Sequence, residues 1–386
     1  MADPAVLGIG STRFGAFHGE RSAKALGTEA VRAALADADL KPAEIDAAYV
    51  SYSLIGVLGG QESMLGQIVL EDSGLVGLPV TRVESACASG SSAVREAVLA
   101  IEAGAARRVL VLGVEVMTSA PTPKVISALA GAGDLDLEGS IGQTFPAHFA
   151  MVAQLHMREF GTSLEQIAAV AVKNHEHGLL NPKAQFQRPI SVEQVIGAKR
   201  VADPLGVLDC CPVSDGAAAV VIGAGAAAEP GDVRIRACEL ASGTYESERP
   251  LTTFDATRRA AATAFARAGV GVEDVDLFEV HDCFTIAELV HCEDLGLCAR
   301  GEGGDLVESG RTRLGGESPV NVSGGLKAKG HPVGATGVGQ IVELTQQLRG
   351  DAGSRQVEGA RVGLAHCMGG FLHGDCGSMA VTVLAR

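Results

Sequence analysis

The chain has 386 residues, of which 47% are hydrophobic and 20% charged. That is enough apolar material for a sizeable core shared by roughly two or three structural units, and too much for a disordered chain. A formal net charge of −15 argues against a general nucleic-acid binder. With no Trp and only three Tyr, neither base stacking nor an aromatic sugar platform is expected. The longest apolar run, 12 residues over 217–228, falls short of the ~20 that span a bilayer. No signal peptide precedes the first strand pattern. Nine cysteines, without disulfide-like spacing, fit free thiols in a reducing, cytoplasmic setting. Fifty glycines forecast tight turns and close backbone approaches.

Residues 5–10 read as a buried strand. A helix follows over 22–38, then a turn at Lys41-Pro42 and a strand near 47–51. A short strand at 81–84 runs into Ser85-Ala86-Cys87. The helix over 88–103 carries Ala93, Val94, Ala97, Val98 and Ile101 as its apolar stripe, and 108–114 is a continuous apolar strand. Residues 117–203 hold helical stretches and a polar segment, Lys173-Asn174-His175-Glu176-His177-Gly178, so they read as an excursion from the core. Strands return at 217–222 and 233–240, separated by a Gly/Ala/Pro-rich linker over 223–231. Beyond it come a helix (258–268), a strand (277–280), an amphipathic helix (284–297), a strand (319–322), a helix (337–348) and strands at 362–366 and 379–384. The alternation predicts a layered α/β fold with an N-terminal half over 1–225 and a C-terminal half over 232–386. Each half places a glycine-rich elbow between strand and helix, at 86–92 and 323–337, which suggests an internal duplication.

Four side chains fall at strand ends or helix starts, where α/β folds put ligands. Cys87, among Ala, Ser and Gly at the start of a helix, has the surroundings that favour a thiolate; the competing reading is a buried structural cysteine. His331 lies in Gly324-Gly325-Leu326-Lys327-Ala328-Lys329-Gly330-His331-Pro332-Val333-Gly334, a run that implies a backbone wrapped around a ligand or another loop. A histidine there suits proton abstraction from a thiol or stabilisation of an oxyanion. His281 ends the strand before Asp282-Cys283-Phe284, where Asp282 is also a candidate helix cap. Cys367, in His366-Cys367-Met368-Gly369-Gly370, is a second thiol placed to act as acid or base.

Cys-Ala-Ser-Gly-Ser-Ser-Ala (87–93), Val-Asn-Val-Ser-Gly-Gly (320–325) and Gly-His-Pro-Val-Gly-Ala-Thr-Gly (330–337), in that order, resemble thiolases. His281-Asp282-Cys283-Phe284-Thr285, where most thiolases have Asn-Glu-Ala-Phe, resembles the sterol-carrier-protein and archaeal types, as do 173–178 and 211–219. The resemblance covers essentially the whole chain and implies two related α/β halves in a five-layer sandwich. It implies that Cys87 is the acyl-accepting nucleophile, that His331 activates it, that His281 stands in for the usual Asn of one oxyanion hole, and that Cys367 is the second acid/base. The N–H groups of Cys87 and Gly369 would form the other hole. It further implies coenzyme A as co-substrate, a homodimer or tetramer, and in some relatives a small OB-fold, zinc-ribbon partner. Lys173, Lys183 and Arg188 are candidates for the coenzyme A phosphates, with Lys327 and Lys329 as further options, and Ser323 and Gly324 for the pantetheine arm. Residues 371–375 depart from the family's compact turn.

The rivals are a thiolase-like retro-aldolase acting on a β-hydroxyacyl-CoA, a decarboxylating ketosynthase, and a non-catalytic acyl-CoA-binding subunit. The presence of both Cys87 and Cys367 speaks against the first two. A metal site among His281, Cys283, His291, Cys292 and Cys298 lacks any Cys-x-x-Cys pair, so no metal is expected. A dinucleotide site is weak because Arg13 occupies the place of the third glycine after Gly8-Ile9-Gly10.

Overall fold

The computed structural model describes residues 4–224, 232–246 and 248–386. Its first half opens with β1 (Ala5–Ser11), α1 (Ala23–Asp37), β2 (Ala47–Ser51), α2 (Ile55–Gly59), α3 (Leu65–Glu71), β3 (Val80–Val83), α4 (Ser89–Glu102) and β4 (Arg108–Glu115). A helical excursion follows, with α5 (Thr122–Ala130), α6 (Phe145–Phe160), α7 (Leu164–Leu179) and α8 (Val192–Ile196). A small hairpin, β5 (Arg200–Ala202) and β6 (Leu205–Gly206), then leads to β7 (Gly216–Gly223). The second half has β8 (Val233–Ala241), α9 (Asp255–Ala268), β9 (Leu277–Glu279), α10 (Thr285–Leu295), α11 (Gly303–Glu308), α12 (Thr336–Arg349), β10 (Val362–Leu372) and β11 (Asp375–Ala385). Local chemistry sets several of these ends. The Ser22 hydroxyl caps α1 by accepting from Ala25 N–H, and Ser163 with Gln166 closes a capping box on α7. Among the described residues, no helix is long and apolar enough to cross a membrane.

The strand order β3-β2-β4-β7-β1-β8-β11-β10-β9 contains the same arrangement twice. In the first half β2 runs parallel to β3 and β4, and β7 runs antiparallel to β4 and β1. In the second half β9 runs parallel to β10, and β11 runs antiparallel to β10 and β8. The counterpart of β3 is a single parallel bridge from Val320 to Phe278, so the expected strand at 319–322 shrinks to one residue pair. The halves join where Ala5 and Val6 pair with Arg234 and Val233. Helices α4 and α12 lie between the two half-sheets and share one apolar core with both. Helix α1 covers the outer face of the first half and α9 that of the second. The result is a layered α-β-α-β-α sandwich of two related halves.

Three other expectations change. The helix expected at 284–297 is not amphipathic: α10 is enclosed by α6, α7, α9 and α11, and nearly every residue on it is buried. Residues 371–375 form no separate insertion. They extend β10 and β11 into a hairpin that turns at His373-Gly374. The linker expected over 223–231 begins in β7, and its remainder over 225–231 lies outside the described residues.

The two central helices cross at backbone distance. A Cβ at Gly90 would lie 2.8 Å from Val338 N, and one at Gly337 would lie 2.4 Å from Ser91 N. In an exposed helix, alanine stabilises relative to glycine by ~1 kcal/mol; here overpacking reverses the sign. Gly337→Ala is expected to destabilise the protein by ~1–3 kcal/mol. Urea unfolding should show a lower midpoint with an unchanged slope; an equal or higher midpoint would refute the close crossing.

Candidate active site

Cys87 sits on a strained elbow between β3 and α4. Ala86, immediately before it, has φ +48°, a left-handed conformation that a side chain disfavours. Local bonds hold it there. Ser85 N–H donates to Ser89 Oγ (2.8 Å), the Ser89 hydroxyl donates to Ala86 O (2.5 Å), and Ala86 N–H donates to Glu84 Oε1 (2.7 Å). The thiol is 7% exposed.

His331 arrives from the other half. Its N–H donates to Ser214 Oγ (2.9 Å), its Nδ1 lies 2.7 Å from Thr336 Oγ1, and its Nε2 lies 3.3 Å from Cys87 Sγ. The Thr336 hydroxyl donates to Pro332 O at 3.0 Å. It therefore accepts from Nδ1–H, which fixes the tautomer and turns the free Nε2 lone pair toward the thiol. Burial pushes the His331 imidazole down to about 3. Burial also pushes the Cys87 thiol up, with Cys367 and Glu115 as the next causes. At neutral pH the pair rests as a neutral thiol facing a neutral base.

The structure brings the other two predicted side chains to the same point. Cys367, fully buried in β10, donates to Cys87 O (3.1 Å), and its sulfur lies 3.6 Å from His281 Nδ1. Burial raises this thiol to about 12. The His281 and His331 rings meet edge to face at 5.1 Å. One donor atom each from Cys87, His281 and His331 lies within 4.8 Å of the others, so among the described residues these three could hold a metal ion. Gly369 touches the elbow: a Cβ there would be 2.1 Å from Ser85 O. The N–H of the next residue, Gly370, acts on the Cys87 thiol in the opposite sense to burial, lowering it slightly. A cleft of about 740 Å³ runs along the elbow that precedes Cys87, lined among others by Glu84, Ser85, Ala86, Gly369 and Gly370.

The residues expected at coenzyme A lie elsewhere or face inward. Lys173 is fully buried, paired with Glu288 at 2.6 Å and donating to Val320 O at 2.9 Å, so no face of its ammonium is left for a phosphate. Ser323 is bonded through N–H and hydroxyl to Glu279 (3.1 and 2.6 Å), and Gly324 presses on the Gly178 backbone. Lys327 donates to Cys210 O (2.5 Å), and Lys329 pairs with Glu279 (3.2 Å). Lys183 and Arg188 are exposed, with Lys183 donating to Ser11 O at 2.7 Å and Arg188 lying over the Phe186 ring. Asp282 does not cap α10. Its carboxylate accepts from Leu326 N–H (2.6 Å) and Lys327 N–H (3.3 Å), which ties the His281 strand to the loop that carries His331.

Some site residues escaped the sequence reading. Glu115, at the end of β4, is buried and accepts from Ser53, Leu54 and Ile55 N–H on the cleft side and from Gly334 N–H of the His331 loop, all at 2.9–3.0 Å. Nothing local in the sequence marks it. Cys283, two residues after His281 and considered above only as a metal ligand, is buried close to Cys87 and Cys211.

Two family models cover the chain: the thiolase N-terminal domain matches residues 5–226 and the thiolase C-terminal domain-like model residues 239–386. The chain is 46% identical over its full length to the whole of an acetyl-CoA acetyltransferase of Methanothermobacter thermautotrophicus. It is 36% identical to bovine sterol carrier protein 2, over 94% of this chain and 69% of that protein. It is 35% identical to the benzoylsuccinyl-CoA thiolase subunit BbsB of Thauera aromatica, over 95% and 94%. A solved structure titled Ltp2-ChsH2(DUF35) aldolase superposes with a TM-score of 0.84 at 27% identity, covering 99% of this chain and 97% of that one.

Burial raises the Glu115 carboxyl from its ordinary value near 4.5 to about 7, against its four backbone donors. A raised acid binds its proton more tightly folded than unfolded, so its contribution is present at low pH and is lost as pH rises from about 4.5 to 7. Relative to Glu115→Gln, the wild type should lose about 3 kcal/mol of unfolding free energy between pH 4.5 and 8. Parallel stability curves for the two proteins would contradict this.

Proposed function

The chain belongs to the thiolase family, and from that premise we propose that it cleaves a 3-oxoacyl-CoA by thiolysis, or runs the reverse Claisen condensation, through an acyl group carried on Cys87. The observation that carries the reading is the His331 Nε2 lone pair 3.3 Å from Cys87 Sγ, with the Cys367 thiol bonded to the Cys87 carbonyl.

In the first half-reaction the Cys87 proton passes to His331 Nε2 as the sulfur attacks the 3-oxo carbon. The C2–C3 bond breaks, the acyl group stays on Cys87, and the departing enolate takes a proton from Cys367. In the second, the coenzyme A thiol returns a proton to Cys367 and its sulfur attacks the acyl group. Cys87 then leaves as thiolate and recovers its proton from His331. The thioester oxygen of the enolate is held by His281 and His331, and the oxyanion at the acyl carbon by the N–H groups of Cys87 and Gly369. Each such donor is worth about 10²–10³ in rate. The name of the 46% identical relative supports acetyl as one transferred group.

The exposed Lys183 and Arg188 remain the candidates for the coenzyme A phosphates. Strand β3 is a sheet edge with Thr81 and Arg82 exposed, which supports pairing with a second copy in a homodimer, with a tetramer as the larger option. The structural neighbour, Ltp2-ChsH2(DUF35) aldolase, carries a second component in its name; this supports a partner subunit, such as the small OB-fold protein expected above, as part of the proposal. Free cysteines support a cytoplasmic setting. The retro-aldolase reading has less support, because it leaves the two-thiol arrangement without a task.

Incubation with a 3-oxoacyl-CoA should give an acyl adduct by intact mass that maps to Cys87. Cys87→Ala should abolish both the adduct and turnover; retained thiolysis in that variant would end the proposal. The proton carrier is tested separately. Cys367→Ser is expected to lower kcat by about 10²–10⁴ while the adduct still forms, and Cys283→Ser to change it less. The reverse ranking moves the proton step to Cys283.

A further inference from the structure

We propose that Cys87, His281 and His331 together form a binding site for zinc(II) in the resting protein, and that the ion competes with the acyl substrate. The metal is a ligand of the active site here, not a cofactor of the reaction.

The argument starts from donor type and spacing. One thiolate sulfur and two imidazole nitrogens are a donor set that selects zinc and similar cations over magnesium or calcium. A tetrahedral zinc ion with bonds of ~2.3 Å to sulfur and ~2.0–2.1 Å to nitrogen separates the two ligand atoms by roughly 3.5 Å. Cys87 Sγ and His331 Nε2 are 3.3 Å apart, and all three donor atoms lie within 4.8 Å of one another. Closing the set therefore takes about 1 Å of side-chain movement. All three side chains are buried and sit on elements held from several sides.

For His331 the supporting shell is already in place. Metal-bound histidines ordinarily donate their second ring N–H to a fixed acceptor, which orients the ring. Thr336 Oγ1 does this for His331 Nδ1 at 2.7 Å and is itself anchored on Pro332 O. With three protein ligands, a tetrahedral ion keeps one open position for water or a small thiolate. Binding replaces the S–H proton of Cys87, which passes to solvent, by an S–Zn bond; nothing is oxidised or reduced. The lone pair that would attack a carbonyl is then held by the metal. Loss of turnover rests on the reading of Cys87 as the acyl acceptor, whereas the binding itself does not.

The experiment uses the full-length protein freed of metal with a chelator and titrated with cobalt(II) as a coloured substitute for zinc(II). One cobalt per chain is expected, with a thiolate-to-cobalt charge-transfer band and tetrahedral d–d bands. Cys87→Ala should lose the charge-transfer band. Thr336→Val should weaken cobalt binding ~10–100-fold, and Cys298→Ser, at a thiol outside the site, should leave it unchanged. In the wild type, equimolar zinc(II) should slow iodoacetamide alkylation of Cys87 at least tenfold, read on the Cys87 peptide, and added chelator should restore the rate. Absence of the charge-transfer band, its persistence in Cys87→Ala, or unprotected alkylation would each overturn the site. If zinc binds as described but 3-oxoacyl-CoA never acylates Cys87, the catalytic proposal fails and the metal site stands.

Discussion

The hydrogen bond between Cys87 Sγ and His331 Nε2 joins residues 244 positions apart, and most of the central architecture serves to bring its two ends together. The means is the removal of side chains. Gly90 on α4 lies against Val338 N and Gly334 O, Gly113 on β4 against Gly334 O and Ala335 Cα, and Gly369 on β10 against Ser85 O. At each point a Cβ would meet backbone within 3 Å, so two chain segments would have to separate. A contact of 3.3 Å to sulfur does not survive such a shift. The high glycine content of the chain is thus, in part, a requirement of the distance between the Cys87 thiol and the His331 imidazole.

The second half adds a polar scaffold to this packing. Glu288 pairs with Lys173 and accepts from Asn174 and Asn321; Glu279 holds Ser323 and Lys329; Asp282 holds the N–H groups of Leu326 and Lys327. Buried ion pairs of this kind add little net stability, because desolvation offsets their attraction, yet removing one partner is costly. Their effect is geometric: they fix the 321–329 backbone, and with it the approach of His331. This accounts for the fate of the basic residues near the histidine, which are taken up inside the fold.

The residues readable from sequence were those whose roles have a local signature. Cys87, His281, His331 and Cys367 each follow a strand pattern or open a helix pattern in the sequence, and the structure brings all four together, although Cys367 lies in the middle of β10 rather than at its end. The helix and strand alternation was equally readable, since burial on one or both faces leaves a periodic mark. What escaped was set by distant contacts. Glu115 looks like any residue at the end of a strand, and its importance comes from backbone donors 60–219 positions away. Lys173 looks like a surface cation, because a solvated helix face and a buried ion pair leave the same letter in the sequence. Val320 retains one bridge where a strand was expected, since only the comparison of the two half-sheets reveals it as the remnant of β3's counterpart.

Burial gives the site its chemical character. A sulfur held as a thiol and an imidazole held neutral carry no charge to be desolvated at rest, so the pair tolerates an interior in which a free thiolate would be expensive. In the proposed reaction, charge appears only when an electrophile accepts the sulfur lone pair and the proton crosses to Nε2. At that moment the same low-polarity surroundings strengthen each N–H directed at the developing oxyanion. On the proposed mechanism, the features that make Cys87 unreactive in isolation are those that favour the transition state once a carbonyl lies against it. This is also why Thr336, which never approaches the sulfur, matters: by holding Nδ1–H it leaves the imidazole a single atom with which to receive the proton.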